Sequence, residues 1–386
     1  MFFIPILYLL YRFKFERETS KNIKRPCLIL SNHQTGFDQF AVGVGFRFAI
    51  NFVASDSIFR HGFRSWLMKV LVQPIPYSKG STDSTAIKDM FSVIRQGGAI
   101  GMFPSGNRSF FGDECTLKPG IGKLAQKLGV PVVLVRLCGG YNVSPRWKFK
   151  PTKGKMRARV TKVISVEDLK SISHNRLDDI IINELYFNEF EWNRKEQIVF
   201  QGKHTAEHLE IVLFYCPECN KINTLSSKGN EFFCTSCQMR VTINETGFFE
   251  KINNAESCPD NILDWSKLQL DHIKTIDYSQ YTDKPIFSDD NVLFSFVIRA
   301  KRQDPLGKGT ISLYGDKITI CDKVFPVEKI NDMAIQSMRG LSLYTDEGAF
   351  TALFPEKSCL IKYMICGYHL KNEALNIPKE NRGYGY

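Results

Sequence analysis

The chain of 386 residues is longer than one compact core usually holds, so two or three domains are expected. Hydrophobic residues at 43% and charged residues at 24% exclude a mainly disordered, coiled-coil or fibrous chain. The net charge of +11 belongs to the first half: residues 1–200 carry 30 Lys+Arg against 16 Asp+Glu (+14), and residues 201–386 carry 21 against 24 (−3). This asymmetry points to an anionic partner: nucleic acid, a phosphorylated small molecule or a membrane surface.

The first fifteen residues, MFFIPILYLLYRFKF, hold eleven uncharged residues before Arg12, whereas a spanning helix needs about 20. They lack the basic start and small-residue cleavage site of a signal peptide. Residues 1–25 read as an amphipathic segment lying in the membrane interface, with a first core helix as the alternative. From Pro26 the chain alternates apolar runs with helical patterns, the rhythm of an α/β domain. Expected strands are 27–32, 50–55, 99–104, 130–137 and 155–164, mostly continuous in apolar residues, as for a sheet covered by helices on both faces. Helices are expected over 82–96, stopped by Gly97-Gly98, and over 122–128, stopped by Gly129. Residues 174–212 read as amphipathic helices leading out of this domain, and 251–290 as a polar linker. Short β-like runs over 291–374 end in a helical pattern and resemble a small pleckstrin-homology-like module. Most of the cysteines outside the two C-x-x-C pairs lie in apolar runs and read as core residues.

Two polar loops follow buried strands. The first, Ser31-Asn32-His33-Gln34-Thr35-Gly36-Phe37-Asp38, sets a histidine five residues before a carboxylate. That spacing puts the two side chains on opposite faces of a strand, so they meet only if the chain bends, and Thr35-Gly36 supplies a bend. A histidine held by a carboxylate is a means of deprotonating an alcohol near neutral pH. The same spacing recurs at His174/Asp179 and His272/Asp277, in helical or connector sequence, where it reads as surface. The second loop, Phe103-Pro104-Ser105-Gly106-Asn107-Arg108-Ser109, offers backbone N–H groups and a guanidinium suited to phosphate oxygens.

Taken in order, these blocks resemble the glycerolipid (lysophosphatidic acid) acyltransferase family, with its N-H-x-x-x-x-D block, a basic residue between, an F-P-E-G-T-R-S block and a later V-P-V/I strand. Here they are Asn32-His33 to Asp38, Lys79 in PIPYSKGS, Phe103 to Ser109, and Val130-Pro131-Val132. The resemblance covers about residues 26–165 and implies that His33 is the general base, oriented by Asp38. A glycerol hydroxyl would then attack the thioester of acyl-CoA or acyl carrier protein directly, with no metal required. It also implies that Lys79 and Arg108 hold the acceptor phosphate beside Ser105, Gly106 and Asn107, with N–H groups near Gly106 facing the developing oxyanion. Ser105 stands where the family usually has Glu, and Lys79 where Arg is commoner, which leaves the acceptor's identity open.

Cys216-Pro217-Glu218-Cys219 and Cys234-Thr235-Ser236-Cys237 have the spacing of a zinc ribbon and supply four thiolates. With every position filled by sulfur the metal is expected to be structural; an iron–sulfur cluster or a redox pair are the other readings. The run Arg146 to Lys162 carries eight Lys/Arg and no acid, suited to anionic headgroups or CoA phosphates or else a solvated hairpin. Aromatic interleaving is too sparse there for nucleic acid.

The expected organisation is an interfacial segment (1–25), an acyltransferase domain (26–173), a helical extension (174–212), a zinc ribbon (213–250), a linker (251–290) and a β-rich module (291–374). The expected activity is acylation of a lysophospholipid, foremost 1-acylglycerol-3-phosphate, by a cytoplasmic protein peripheral to the inner face of a membrane. A different lipid acceptor, or a non-catalytic adaptor using the ribbon, are the alternatives.

Overall fold

The computed structural model describes residues 3–55, 73–77, 84–113, 117, 120–298 and 302–385. The chain divides into two compact units, one of residues 1–145, 150–202 and 245–247 and another of 146–149, 203–244 and 248–386.

The first unit opens with helix α1 (Phe3–Tyr11) and the short strand β1 (Lys14–Phe15). Then come β2 (Cys27–Ser31), α2 (Asp38–Gly43), β3 (Asn51–Ser55), β4 (Ile75–Tyr77), α3 (Ser84–Arg95) and β5 (Ala99–Met102). The unit continues with α4 (Ile121–Leu128), β6 (Val132–Cys138), α5 (Gly140–Val143), β7 (Arg157–Ile164), α6 (Val166–Ser171), α7 (His174–Leu185) and α8 (Glu189–Glu196). The seven strands form one sheet in the order β1-β7-β6-β2-β5-β3-β4. Within it β6, β2, β5, β3 and β4 run parallel, and β7 is antiparallel to β6.

The continuous apolar strands are explained by burial on both faces. Along β2, Cys27 and Ile29 enter one core with Phe13, Ala41, Val135 and Leu137, while Leu28 and Leu30 enter the opposite core with Ala86, Met90, Ala125 and Leu177. Gly129 stops α4 in the left-handed conformation at φ 64°, a backbone glycine adopts without steric cost. Helices α7 and α8 differ from their expected course. Leu177, Ile181 and Leu185 are fully buried in the second of these cores, so α7 is part of the first unit; an apolar face at helical spacing finds its partner on the sheet.

In the second unit, β8 (Leu225–Lys228), β9 (Glu231–Cys234), β10 (Arg240–Ile243) and β11 (Phe249–Asn253) form an antiparallel sheet in the order β11-β10-β9-β8. The stretch expected as linker contains helix α9 (Ile262–Thr275). Its Trp265 packs edge-on against Phe232 and Phe249, and its indole N–H donates to Tyr215 O. Gln269, also buried, accepts from the N–H groups of Phe214 and Tyr215. The polar composition of 251–290 hid a helix whose buried face includes Trp265, Gln269 and Ile273.

Seven further antiparallel strands follow: β12 (Phe287–Ile298), β13 (Arg302–Leu313), β14 (Lys317–Ile320), β15 (Lys323–Pro326), β16 (Asp332–Gln336), β17 (Gly340–Thr345) and β18 (Gly348–Leu353). Their order is β15-β14-β13-β12-β18-β17-β16, and the buried helix α10 (Ile361–Ala374) closes the module. The basic run is split between the units: Arg146–Phe149 belongs to the second, where buried Arg146 donates to Ile335 O at 3.0 Å, and Lys150–Lys162 belongs to the first. Among the described residues no helix is long and apolar enough to cross a membrane.

Candidate active site and metal centre

Strands β2 and β5 are hydrogen-bonded neighbours, and Leu30 stands opposite Met102. The chain therefore leaves both strands at the same level, and both polar loops open at the carboxyl end of the sheet, where parallel α/β folds place ligands. The loops are joined directly: Ser109 N–H donates to His33 O at 2.8 Å. Asn32 fixes the base of the first loop by bonding both backbone groups of Leu137, donating to its O at 2.9 Å and accepting from its N–H at 2.7 Å.

His33 Nδ1 lies 2.8 Å from Asp38 Oδ2, the carboxylate fully buried and the imidazole side chain 19% exposed. An ionised carboxylate only accepts, so the proton sits on Nδ1 and the basic lone pair on Nε2. The bend anticipated at Thr35-Gly36 is held by Asp38 itself. Its Oδ2 also accepts from the N–H groups of Gln34 (2.6 Å) and Thr35 (2.8 Å), and its Oδ1 from the Thr35 hydroxyl. The imidazole stacks on Phe103 with centroids 4.2 Å apart, and Phe103 stacks in turn on Phe52. Tyr11 of α1 stacks on Phe37, the residue before Asp38, at 5.1 Å.

Arg108 is beside this pair: its Nη1 is 3.6 Å from where a Cβ on Gly36 would stand. Burial lowers its pKa from the ordinary guanidinium value and the Asp38 charge opposes that shift, so the cation persists. Ser105 is buried and its hydroxyl donates to Asn107 O at 3.0 Å, a bond that shapes the loop from within. Gly106 takes φ 67°, and its N–H closes a turn onto Phe103 O at 2.9 Å. The N–H groups of Gly106 and Ser109 are thus committed within the protein and do not face an oxyanion. Lys79 lies outside the described residues.

Several residues at the site carry no motif of their own. Thr35 and Phe103 lie inside the motif blocks and were read there only as a bend and a strand end. Gln34 donates through Nε2 to Glu189 Oε2 at 3.1 Å and accepts at Oε1 from Gly140 N–H at 3.0 Å. Glu189, fully buried at the start of α8, also accepts from the N–H groups of Gly139 and Asn142. Burial pushes its pKa up to about 7, against the opposing effect of these hydrogen bonds. No local signal marks a residue 155 positions from its partner.

Comparison with known proteins is consistent with this geometry: the family model described as Acyltransferase matches residues 12–137. Those residues form an acyltransferase-family domain. The segment resembles the 1-acyl-sn-glycerol-3-phosphate acyltransferase BAT2, chloroplastic, of Brassica napus, 28% identical over 121 residues, 31% of this chain and 35% of that protein. It also resembles the 1-acyl-sn-glycerol-3-phosphate acyltransferase LPAT1, chloroplastic, of Arabidopsis thaliana, 26% identical over 144 residues, 36% of this chain and 39% of that one. The chain thus spans little more than a third of the length of these curated relatives. Among solved structures, the 1-acyl-sn-glycerophosphate (LPA) acyltransferase PlsC from Thermotoga maritima aligns with a TM-score of 0.39 and 20% identity, over 46% of this chain and 72% of that one.

In the second unit Cys216, Cys219, Cys234 and Cys237 bring their sulfurs within 4.8 Å of one another. The Cys216–Cys237 and Cys219–Cys234 separations are both 3.7 Å. Sulfurs bound tetrahedrally to a common zinc at about 2.3 Å would lie about 3.8 Å apart, so the cage fits that ion. Two like turns build it. Cys216 N–H bonds Lys221 O and Asn220 N–H bonds Cys216 O; Cys234 N–H bonds Met239 O and Gln238 N–H bonds Cys234 O. Asn220 and Gln238 are both left-handed, at φ 55° and 62°.

Proposed function

We propose that the protein transfers a fatty acyl chain from an acyl thioester, acyl-CoA or acyl carrier protein, to the hydroxyl of a lysophospholipid, foremost 1-acylglycerol-3-phosphate. The observation that carries this reading is the His33–Asp38 pair at 2.8 Å, with the ring partly exposed beside the Arg108 loop. A base that withdraws the hydroxyl proton needs a fixed tautomer with its lone pair outward, and a buried carboxylate on Nδ1 provides it. His33 takes the proton at Nε2, Asp38 stabilises the imidazolium, and Arg108, with Lys79, neutralises the acceptor phosphate. The names of the curated relatives support the phosphorylated acceptor. Ser105 and Asn107 shape the phosphate loop and Gly106 permits its turn.

The domain limits proposed with this reading are an interfacial segment over 1–25, an acyltransferase domain from 26 that takes in the helices of the expected extension as far as residue 202, a ribbon over 213–250, and then 251–290, which carries α9, leading to the module over 291–374. The four cysteines hold one structural zinc, which fixes the two turns of the ribbon and has no part in acyl transfer. The protein works at a membrane surface. Tyr8, Leu9 and Leu10 of α1 expose their side chains, Leu9 to 79%, and the strand that follows α1 carries Lys14, paired in register with Arg157; apolar and basic residues in one segment suit an anionic interface.

The test is to incubate purified protein and its His33→Ala variant with labelled acyl-CoA and a panel of acceptors with and without phosphate, then identify the lipid product. Labelled phosphatidic acid from the native protein alone supports the reading. Equal turnover of neutral and phosphorylated acceptors removes the phosphate clamp, and activity retained in the variant removes the base.

A further inference from the structure

Helix α8 lies beyond the segment matched to the acyltransferase family, which ends at residue 137. Its first residue nevertheless reaches the motif loop. Glu189 and Asn193 are fully buried polar residues on this helix, and they behave differently. Asn193 bonds only backbone groups, those of Ile198 and Thr246, as a structural residue does. Glu189 instead takes up the amide of Gln34, the residue between His33 and Thr35.

Gln34 is fixed at three points: its N–H on Asp38 Oδ2, its Nε2 on Glu189, and its Oε1 on Gly140 N–H. The fit around it is close. A Cβ on Gly140 would stand 2.7 Å from Gln34 Oε1, and one on Gly139 2.2 Å from Lys155 O. Gly140 therefore lets the β6–α5 turn approach the loop and Gly139 lets the same turn pass Lys155, while Glu189 accepts from the N–H groups of Gly139 and Asn142. A continuous line of hydrogen bonds runs Glu189–Gln34–Asp38–His33. Ionisable groups buried without a charged partner are costly, by several kcal/mol in general, and no cation bonds Glu189 among the described contacts. Packing alone would be served as well by an uncharged residue.

We propose that Glu189 is a positioning residue for the His33–Asp38 pair, acting through Gln34 to hold the loop in the geometry that aims His33. The inference rests on the acyl-transfer reading above. It adds that a helix outside the matched domain completes the site, so that residues 12–137 alone are an incomplete catalyst.

The experiment uses the full chain in four forms: native, Gln34→Ala, Glu189→Gln and the double variant. Acyl transfer from acyl-CoA to lysophosphatidic acid is measured above neutral pH, together with the titration of His33 by NMR of isotope-labelled histidine. Gln34→Ala leaves Glu189 its two backbone donors, so the fold should persist; kcat should fall about tenfold with KM for both substrates unchanged, as expected of a misplaced group. The His33 midpoint should drop by about half a pH unit as its hold on Asp38 loosens. Glu189→Gln can still accept from Gln34 and Gly139 through its amide oxygen and should retain more activity than Gln34→Ala. With Gln34→Ala already present, Glu189→Gln should cost nothing more. Multiplying effects in the double variant, or a His33 titration and kcat indifferent to Gln34→Ala, would overturn the inference while leaving the acyl-transfer reading intact. An inactive native protein would instead sink that reading, and the His33 titration would still decide whether Glu189 and Gln34 govern the ring.

Discussion

Removing His33 and removing Asp38 should have opposite balances of damage, although both belong to one pair. Asp38 is fully buried and accepts from four donors: His33 Nδ1, the N–H groups of Gln34 and Thr35, and the Thr35 hydroxyl. Asp38→Ala leaves three of these donors inside the protein without their acceptor. At about 1–3 kcal/mol for each orphaned buried group, the loss comes to about 3–9 kcal/mol. For a unit of this size each kcal/mol moves the melting temperature about 2–4 °C, so a fall of at least about 6 °C is expected. His33→Ala removes a partly exposed ring held by its Asp38 bond and the stack on Phe103, about 1 kcal/mol each, and leaves Asp38 its other donors, so it melts closer to the native protein than Asp38→Ala does. It should nevertheless lose about 10²–10⁴-fold in kcat, the contribution of a positioned base. Asp38→Asn discriminates further: its oxygen can keep the two backbone donors and its amide can donate to the Thr35 hydroxyl, so stability largely returns while the charge on His33 does not. Calorimetry and the acyl-transfer assay on the three variants check the scheme. Equal melting of His33→Ala and Asp38→Ala would refute the hydrogen-bond accounting, and more than a tenth of native activity in His33→Ala would refute the base.

Elemental analysis should find one zinc per chain, reduced by Cys216→Ser, and a strong chelator should unfold the ribbon, since structural zinc contributes on the order of 10 kcal/mol to such sites; iron in place of zinc would overturn the assignment. Stability should also fall with pH through Glu189. Its pKa of about 7 in the folded chain exceeds the ordinary 4.5, so its contribution is complete below 4.5 and lost as pH rises through about 7. The difference amounts to about 3 kcal/mol at about 1.4 kcal/mol per pH unit. Cys138 beside it has its thiol pushed up to about 12 by burial and is silent in this window. Unfolding measured from pH 4.5 to 8 should be flatter for Glu189→Gln than for the native chain, and identical slopes would contradict this. Leu9→Asp should weaken the affinity for anionic vesicles, read by sedimentation, about thirtyfold, because burying a leucine contributes about 2 kcal/mol; unchanged binding would remove α1 from the interface.

The amino-acid sequence determined the parts of this protein whose cause is local. Continuous apolar runs fixed β2, β5 and β6 as strands covered on both faces, Gly129 fixed the end of α4, and two C-x-x-C pairs fixed the cysteine cage, because each depends on side-chain period, backbone freedom or ligand spacing within a few residues. The His33 to Asp38 bend was legible for the same reason, being a turn closed over five positions. Tertiary structure alone decided what depends on groups remote in the chain. It joined Ser109 to His33, set Arg108 against Gly36, drew α9 from a polar stretch by giving Trp265 a partner, and brought Glu189 to Gln34. No periodicity records such meetings, because the free energy that fixes them comes from burial and hydrogen bonds that exist only once the two segments have been brought together.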